Sequence, residues 1–273
     1  MLQNAIIQKL HAMRLGAMAG EFIRQTESAD MASLTFEERF GMLTDAEWLS
    51  RENNRTRKLL AAAKLREPQA CLENIDYDAR RKLDRSYVAR LSDLAWVKHG
   101  QNMILCGATG TGKTYLACAF GNAACRQGYK VRYYRVPRLL TDLAVGRGDG
   151  SYNRLLKTLK GTQLLILDDW GLSPLTADEG RDLLEVIEDR HGNAATLICS
   201  QIPVAQWHAL YEDSTIADAI LDRLVHNSHR FTPEGPSKRR DPPGDSISGN
   251  LPVGIAIPGV KQDALPVSTP GAP

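Results

Sequence analysis

The 273-residue chain has no apolar run near the roughly 18 residues that cross a bilayer, which argues against a membrane partner. Its N-terminus also lacks the charged start, apolar middle and small-residue cleavage site of an exported protein, so a cytoplasmic location is expected. The five cysteines (Cys71, Cys106, Cys118, Cys125 and Cys199) show no CxxC spacing, which argues against zinc-ligand and redox pairs. Four of them fall in predicted core strands or helices and read as buried thiols. No internal repeat is present, so a repeat array is excluded. The length allows one α/β core with an accessory domain.

Against that background one glycine-rich stretch stands out. Gly107-Ala108-Thr109-Gly110-Thr111-Gly112-Lys113-Thr114 fits the phosphate-binding pattern GxxxxGK[ST] at every fixed position and follows the apolar run Asn102–Cys106. Gly107, Gly110 and Gly112 are expected to permit torsions that a Cβ would forbid, turning backbone N–H groups around a polyphosphate. Lys113 would reach the β and γ oxygens, Thr114 would take a place on Mg²⁺, and the following helix would direct its positive dipole end at the same phosphates. A second apolar run, Leu164–Leu167, ends in Asp168-Asp169. Continuous apolarity suits a strand buried on both faces of a parallel sheet, whose carboxyl end is where such sheets bind ligands. Asp168 is then the candidate to hold Mg²⁺ and Asp169 to polarise the attacking water. A helix cap or turn is the competing reading of either aspartate alone.

The net charge of +2 conceals an uneven distribution: residues 1–50 carry four basic and seven acidic side chains, whereas residues 51–66 carry six basic ones against Glu52 alone. Arg51, Arg55 and Lys58 fall at i, i+4 and i+7, with Arg66 continuing roughly the same face, and Arg80, Arg81, Lys82 and Arg85 form a second cluster. Such stripes match phosphate backbones without reading sequence; a solvated helix face is the alternative.

Helical spacing covers residues 2–24, and another helix is predicted to begin at Ser33. After Trp96 strands and helices alternate: strands at 102–106, 130–135, 163–168 and 195–200; helices at 113–127, 137–146, 151–160 and 178–190. This predicts an α/β fold with a parallel sheet flanked by helices. The expected domains are a helical N-terminal DNA- or partner-binding domain (1–70), an ATPase domain (71–232) and a disordered tail (233–273) holding nine of the thirteen prolines.

Taken together, LTFEERFGMLTDAEWLSRENNR (34–55), NIDYDARRKLDR (74–85), YYRVPRLLTDL (133–143), LLILDDWG, RDLLEVIEDRHG (181–192), CSQIP and DAILDRL resemble the AAA+ ATPases of the DnaA and DnaC clade, and within it the IstB-like helpers of insertion-sequence transposases. The resemblance covers about residues 1–231. It implies Mg²⁺-dependent ATP hydrolysis, homo-oligomers with ATP between subunits, largely sequence-independent binding of double-stranded DNA, and delivery of target DNA to a cognate transposase. Residue by residue, it implies that Gln201 senses the γ-phosphate and attacking water, with Ser200 assisting. Arg223 corresponds to an arginine finger for the neighbouring subunit; a helix salt bridge to Asp218 or Asp222 is the alternative. The helix pair 137–160, with Arg138, Arg147, Lys157 and Lys160, corresponds to an inserted element facing DNA. Asp169 stands where most AAA+ enzymes have Glu, as is usual in this clade, and no second-sensor arginine is assigned. A helicase loader using the same ATPase is the main alternative; an ATP-gated scaffold and a small-molecule kinase are others.

Overall fold

The computed structural model describes residues 2–77 and 82–235. Helices α1 (Leu2–Ala12) and α2 (Gly16–Glu27) lead into α3 (Phe36–Ala63), a single 28-residue helix. The expected start at Ser33 is corrected by two residues. Ser33 closes a short 3₁₀ turn, and Thr35 caps α3 through a capping box in which its hydroxyl accepts from the Glu38 N–H (3.3 Å) while Glu38 Oε2 accepts from the Thr35 N–H (2.8 Å). The helix ends because Lys64 turns left-handed at φ 52°, so Arg66 does not continue the cationic face. Leu59, Leu60 and Ala63 at this end pack into the core of the sheet domain.

Two short helices, α4 (Arg85–Leu91) and α5 (Ala95–Lys98), precede the α/β part and were not anticipated. There follow β1 (Asn102–Cys106), α6 (Lys113–Arg126), β2 (Val131–Arg135), α7 (Val136–Asp149), α8 (Tyr152–Lys160), β3 (Leu164–Trp170), α9 (Ala177–Arg190), β4 (Ala195–Ser200), α10 (Ser214–Val225) and β5 (Ser228–Phe231). All pairings are parallel, in the order β2-β3-β4-β1-β5. The fifth strand, Ser-His-Arg-Phe, carries no apolar run and escapes a periodicity reading; among the described residues it pairs only with β1, placing Phe231 opposite Leu105.

The two-fold alternation of the strands distributes side chains to two cores. Met103, Leu105, Ile166 and Leu197 face α6 and the segment after α3, whereas Ile104, Leu165, Leu167 and Ile198 face α7, α9 and α10. Burial on both faces accounts for the continuous apolar runs. Because β4 lies between β1 and β3, its carboxyl end stands between the glycine-rich loop and the Asp pair. No helix among the described residues is long and apolar enough to cross a membrane. Of the tail, only residues through 235 are described; Arg80, Arg81 and residues 236–273 lie outside the described residues.

Candidate functional site

The ends of β1, β3 and β4 open into a cleft of about 610 Å³ lined by Thr109, Gly110, Gly112, Lys113, Thr114, Asp168, Asp169 and Gln201, together with Arg66, Tyr115 and Arg135. Within the loop, Gly110 (φ 85°) and Gly112 (φ 89°) occupy the left-handed region that favours glycine. Gly107 is needed for a different reason than torsion: a Cβ there would lie 2.5 Å from the carbonyl oxygen of Pro233, in the segment that follows β5. Lys113 is buried and its ammonium donates to the carbonyls of Gly107 (2.7 Å) and Ala108 (2.8 Å), folded across the loop it belongs to. Thr109 Oγ1 donates to Gln201 Oε1 at 2.6 Å, tying the loop to the end of β4.

Asp168 is buried. One oxygen, Oδ2, accepts from Thr114 Oγ1 (2.8 Å) and from the Tyr133 hydroxyl (2.7 Å), and the Arg66 guanidinium stands 4.0 Å away. Burial, reinforced by its bond to Asp168, pushes the Tyr133 hydroxyl pKa up, so it remains a donor. Asp169 lies at an irregularity in the β3–β4 ladder and has φ 58°, which few non-glycine residues adopt. That kink turns its carboxylate towards Arg135, whose Nε donates at 2.5 Å. The residues therefore fit a Mg²⁺–nucleotide: a loop shaped by left-handed glycines, a lysine at its mouth, and a threonine hydroxyl already against a buried carboxylate.

Several assignments change in the folded molecule. Ser200 stands in the cleft wall, but its hydroxyl is taken up by backbone, donating to the Trp170 carbonyl (2.8 Å) and accepting from the Ile202 N–H (3.0 Å). Arg223 pairs with neither Asp218 nor Asp222. It is mostly buried, donates to the Ala219 carbonyl (2.8 Å) and meets Glu188 on α9 at 2.5 Å, while those two aspartates meet His208 and His226. The Asn102 side chain donates to the Arg223 carbonyl, which puts Arg223 at the amino end of β1, the end opposite the cleft. Tyr133, Arg135 and Arg66 were not singled out for the cleft. The first two were within reach of reasoning, since β2 neighbours β3 with Arg135 opposite Asp168; nothing local in the sequence marks Arg66.

The basic residues separate into three places. Arg51, Arg55 and Lys58 line a groove with Arg14 between the α1–α2 turn and α3, where Arg51 also pairs with Glu47 at 2.8 Å. On α7 and α8, Arg138 pairs with Asp142 (3.0 Å), Lys160 with Asp189 (2.7 Å) and Arg147 with the buried Asp182, while Lys157 is exposed. In the second cluster Lys82 pairs with Glu234 at 2.7 Å and Arg85 lies over the Tyr77 ring.

Comparison with known proteins identifies the family and the fold. Residues 8–242 match the family "IstB-like ATP binding protein". "Putative insertion sequence ATP-binding protein y4pL" of Sinorhizobium fredii is 46% identical over 241 residues, spanning 88% of this chain and 98% of that protein. "Insertion sequence IS1162 putative ATP-binding protein" of Pseudomonas fluorescens is 44% identical over 203 residues, spanning 74% and 88%. Among solved structures, DnaI superposes with a TM-score of 0.51 at 22% identity, covering 67% of this chain and 93% of its own. AMPPCP-bound DnaA from Aquifex aeolicus gives 0.51 at 21% identity over 61% of this chain and 50% of its own. At such identities these two show a shared fold. With its five-stranded parallel sheet, phosphate loop and match over nearly the whole described length, the chain belongs to the IstB-like ATP-binding proteins, within the AAA+ fold.

Proposed function

We propose that this protein is an ATP-dependent helper of a transposase: it binds double-stranded DNA with little regard to sequence, assembles with copies of itself, and uses ATP hydrolysis as a switch. The observation that carries the nucleotide part is the convergence of Lys113, the Thr114–Asp168 pair, Asp169 and Gln201 at the carboxyl ends of three adjacent strands. Family membership, with relatives named for insertion sequences, supports the transposition part.

In this reading Lys113 leaves the loop carbonyls for the β and γ oxygens of ATP. Mg²⁺, held by Thr114 and Asp168, supplies neutralisation of phosphate charge. Tyr133 keeps Asp168 oriented through its hydroxyl. Asp169 orients and polarises the attacking water once its carboxylate is released from Arg135, and Gln201 holds the same water and the terminal phosphate from the β4 side. Arg223, facing away from its own cleft, stabilises phosphoryl charge in the next subunit. The groove of Arg14, Arg51, Arg55 and Lys58 meets DNA phosphates, with Arg138, Lys157 and Lys160 as a second contact region.

The test is ATP turnover by the full chain with and without duplex DNA, and DNA strand transfer by a cognate transposase. DNA-stimulated turnover and ATP-dependent stimulation of strand transfer are expected. Turnover unaffected by DNA, with co-purification of a replicative helicase instead of the transposase, would favour the loader reading, which the same ATPase cleft serves equally well.

A further inference from the structure

The end of α3 delivers a charge into the nucleotide cleft that no motif accounts for. After Lys64 turns the chain, Leu65 packs closely against α6 at Gly121, where a Cβ would come within 2.9 Å of Leu65 Cδ2 and 2.8 Å of Ile166 Cδ1. The next residue, Arg66, lines the cleft, with Nη1 4.0 Å from Asp168 Oδ2. The segment continues along α6, where Asn122 Nδ2 donates to the Pro68 carbonyl (3.1 Å). Just past the carboxyl end of α6, the Arg55 guanidinium covers Gly128, its Nη2 3.0 Å from where a Cβ would sit. The end of α3 and the segment after it thus pack along the second half of the phosphate-loop helix, and that segment carries Arg66 into the cleft.

Arg66 differs from the structural arginines of this fold. Arg190 is fully buried with its donors on backbone carbonyls and a threonine hydroxyl, and Arg147 grips Asp182 closely. Arg66 keeps 42% of its side chain exposed and stands at ion-pair range, not hydrogen-bond range, from its carboxylate. It approaches the same Asp168 oxygen to which Thr114 donates, which is the side of the loop where a bound nucleotide presents its terminal phosphate. A guanidinium has five donors in a planar fork suited to phosphate oxygens.

We propose that Arg66 is a triphosphate-binding residue acting within its own chain, which contacts the terminal phosphate and ties the end of α3 to the nucleotide state. The proposal rests on ATP binding in this cleft and needs neither hydrolysis nor DNA binding. A diphosphate lacks the group that Arg66 would meet, so α3 would be anchored in the ATP form and released in the ADP form.

The experiment compares affinities of the full chain for a non-hydrolysable ATP analogue and for ADP, both with Mg²⁺, by calorimetry, for the parent, Arg66→Gln and Arg66→Lys. Loss of a charge-assisted contact should weaken analogue binding by about ten- to a hundred-fold in Arg66→Gln. ADP affinity should change less than about two-fold, and Arg66→Lys should fall between because an ammonium lacks the fork. Hydrogen exchange across residues 59–71 should slow with the analogue but not with ADP in the parent, and lose that difference in Arg66→Gln. A parental ratio of analogue to ADP affinity in Arg66→Gln, or an equal loss for both nucleotides, overturns the proposal and leaves Arg66 as a positioning group for Asp168. A parent that binds nucleotide but neither DNA nor transposase would sink the helper reading while leaving this comparison intact.

Discussion

Replacing Arg223 by alanine separates a catalytic from a structural role because the two are of very different size here. The structural loss is small: the Arg223–Glu188 pair has a glutamate 57% exposed, and exposed pairs contribute about 1 kcal/mol or less. For a domain of this size that lowers the melting temperature by roughly 2–4 °C. A finger acting on a neighbour's phosphoryl group contributes about 10³ to 10⁵ in rate, and 10³ corresponds to about 4 kcal/mol of transition-state energy. The geometry also excludes self-service. Arg223 sits beside Asn102 at the amino end of β1, and the four strand steps to Cys106 span roughly 13 Å before the loop begins. Arg223→Ala should therefore bind ATP, melt nearly like the parent and lose turnover. Glu188→Gln, which removes the pair but keeps the arginine, should retain most turnover. The assay is steady-state phosphate release on DNA for each variant alone and for mixtures. Lys113→Ala subunits still carry Arg223, so mixing them with Arg223→Ala subunits should rebuild competent sites at shared interfaces and recover activity. Equal losses in Glu188→Gln and Arg223→Ala, or no recovery in mixtures shown by sizing to co-assemble, would refute the finger and leave a helix-pairing role.

Lys113→Ala should abolish ATP binding, whereas Asp169→Asn should keep it and lose turnover; hydrolysis by Asp169→Asn at the parental rate removes that aspartate from the mechanism. Reversing the charge of Arg51, Arg55 and Lys58 should weaken binding to unrelated duplexes alike and flatten the salt dependence by about 0.9 per lost phosphate contact, and an unchanged slope would move the DNA site towards Arg138, Lys157 and Lys160. Arg190 is held by the carbonyls of Leu159, Thr162 and Ala195 and by Thr196 Oγ1, and although burial lowers its pKa to about 9 it stays charged at neutral pH. Arg190→Met strands three carbonyls and should cost roughly 3 kcal/mol in urea unfolding; a gain in stability would mean that desolvation of the guanidinium outweighs its bonds.

The sequence by itself determined the elements that rest on local chemistry. Left-handed torsions at Gly110 and Gly112, an apolar run closing on Asp168-Asp169, and strand–helix alternation from residue 102 each have a cause within a few residues, so loop, strand end and fold class were legible. Tertiary structure decided what depends on which strands become neighbours. Only the order β2-β3-β4-β1-β5 brings Tyr133 and Arg135 against the Asp pair and places Gln201 beside Thr109. Gly107 owes its identity to Pro233, more than a hundred residues later, and β5 exists because the exposed edge of β1 accepts a short polar strand. The same applies to the arginines. Periodicity put Arg66 on a cationic helix face and Arg223 beside Asp218 and Asp222, but a left-handed Lys64 sends the first into the cleft and the packing of α10 on α9 gives the second to Glu188. A long, flexible charged side chain takes its partner from whatever the fold sets within reach, and sequence spacing constrains that choice only while the helix continues.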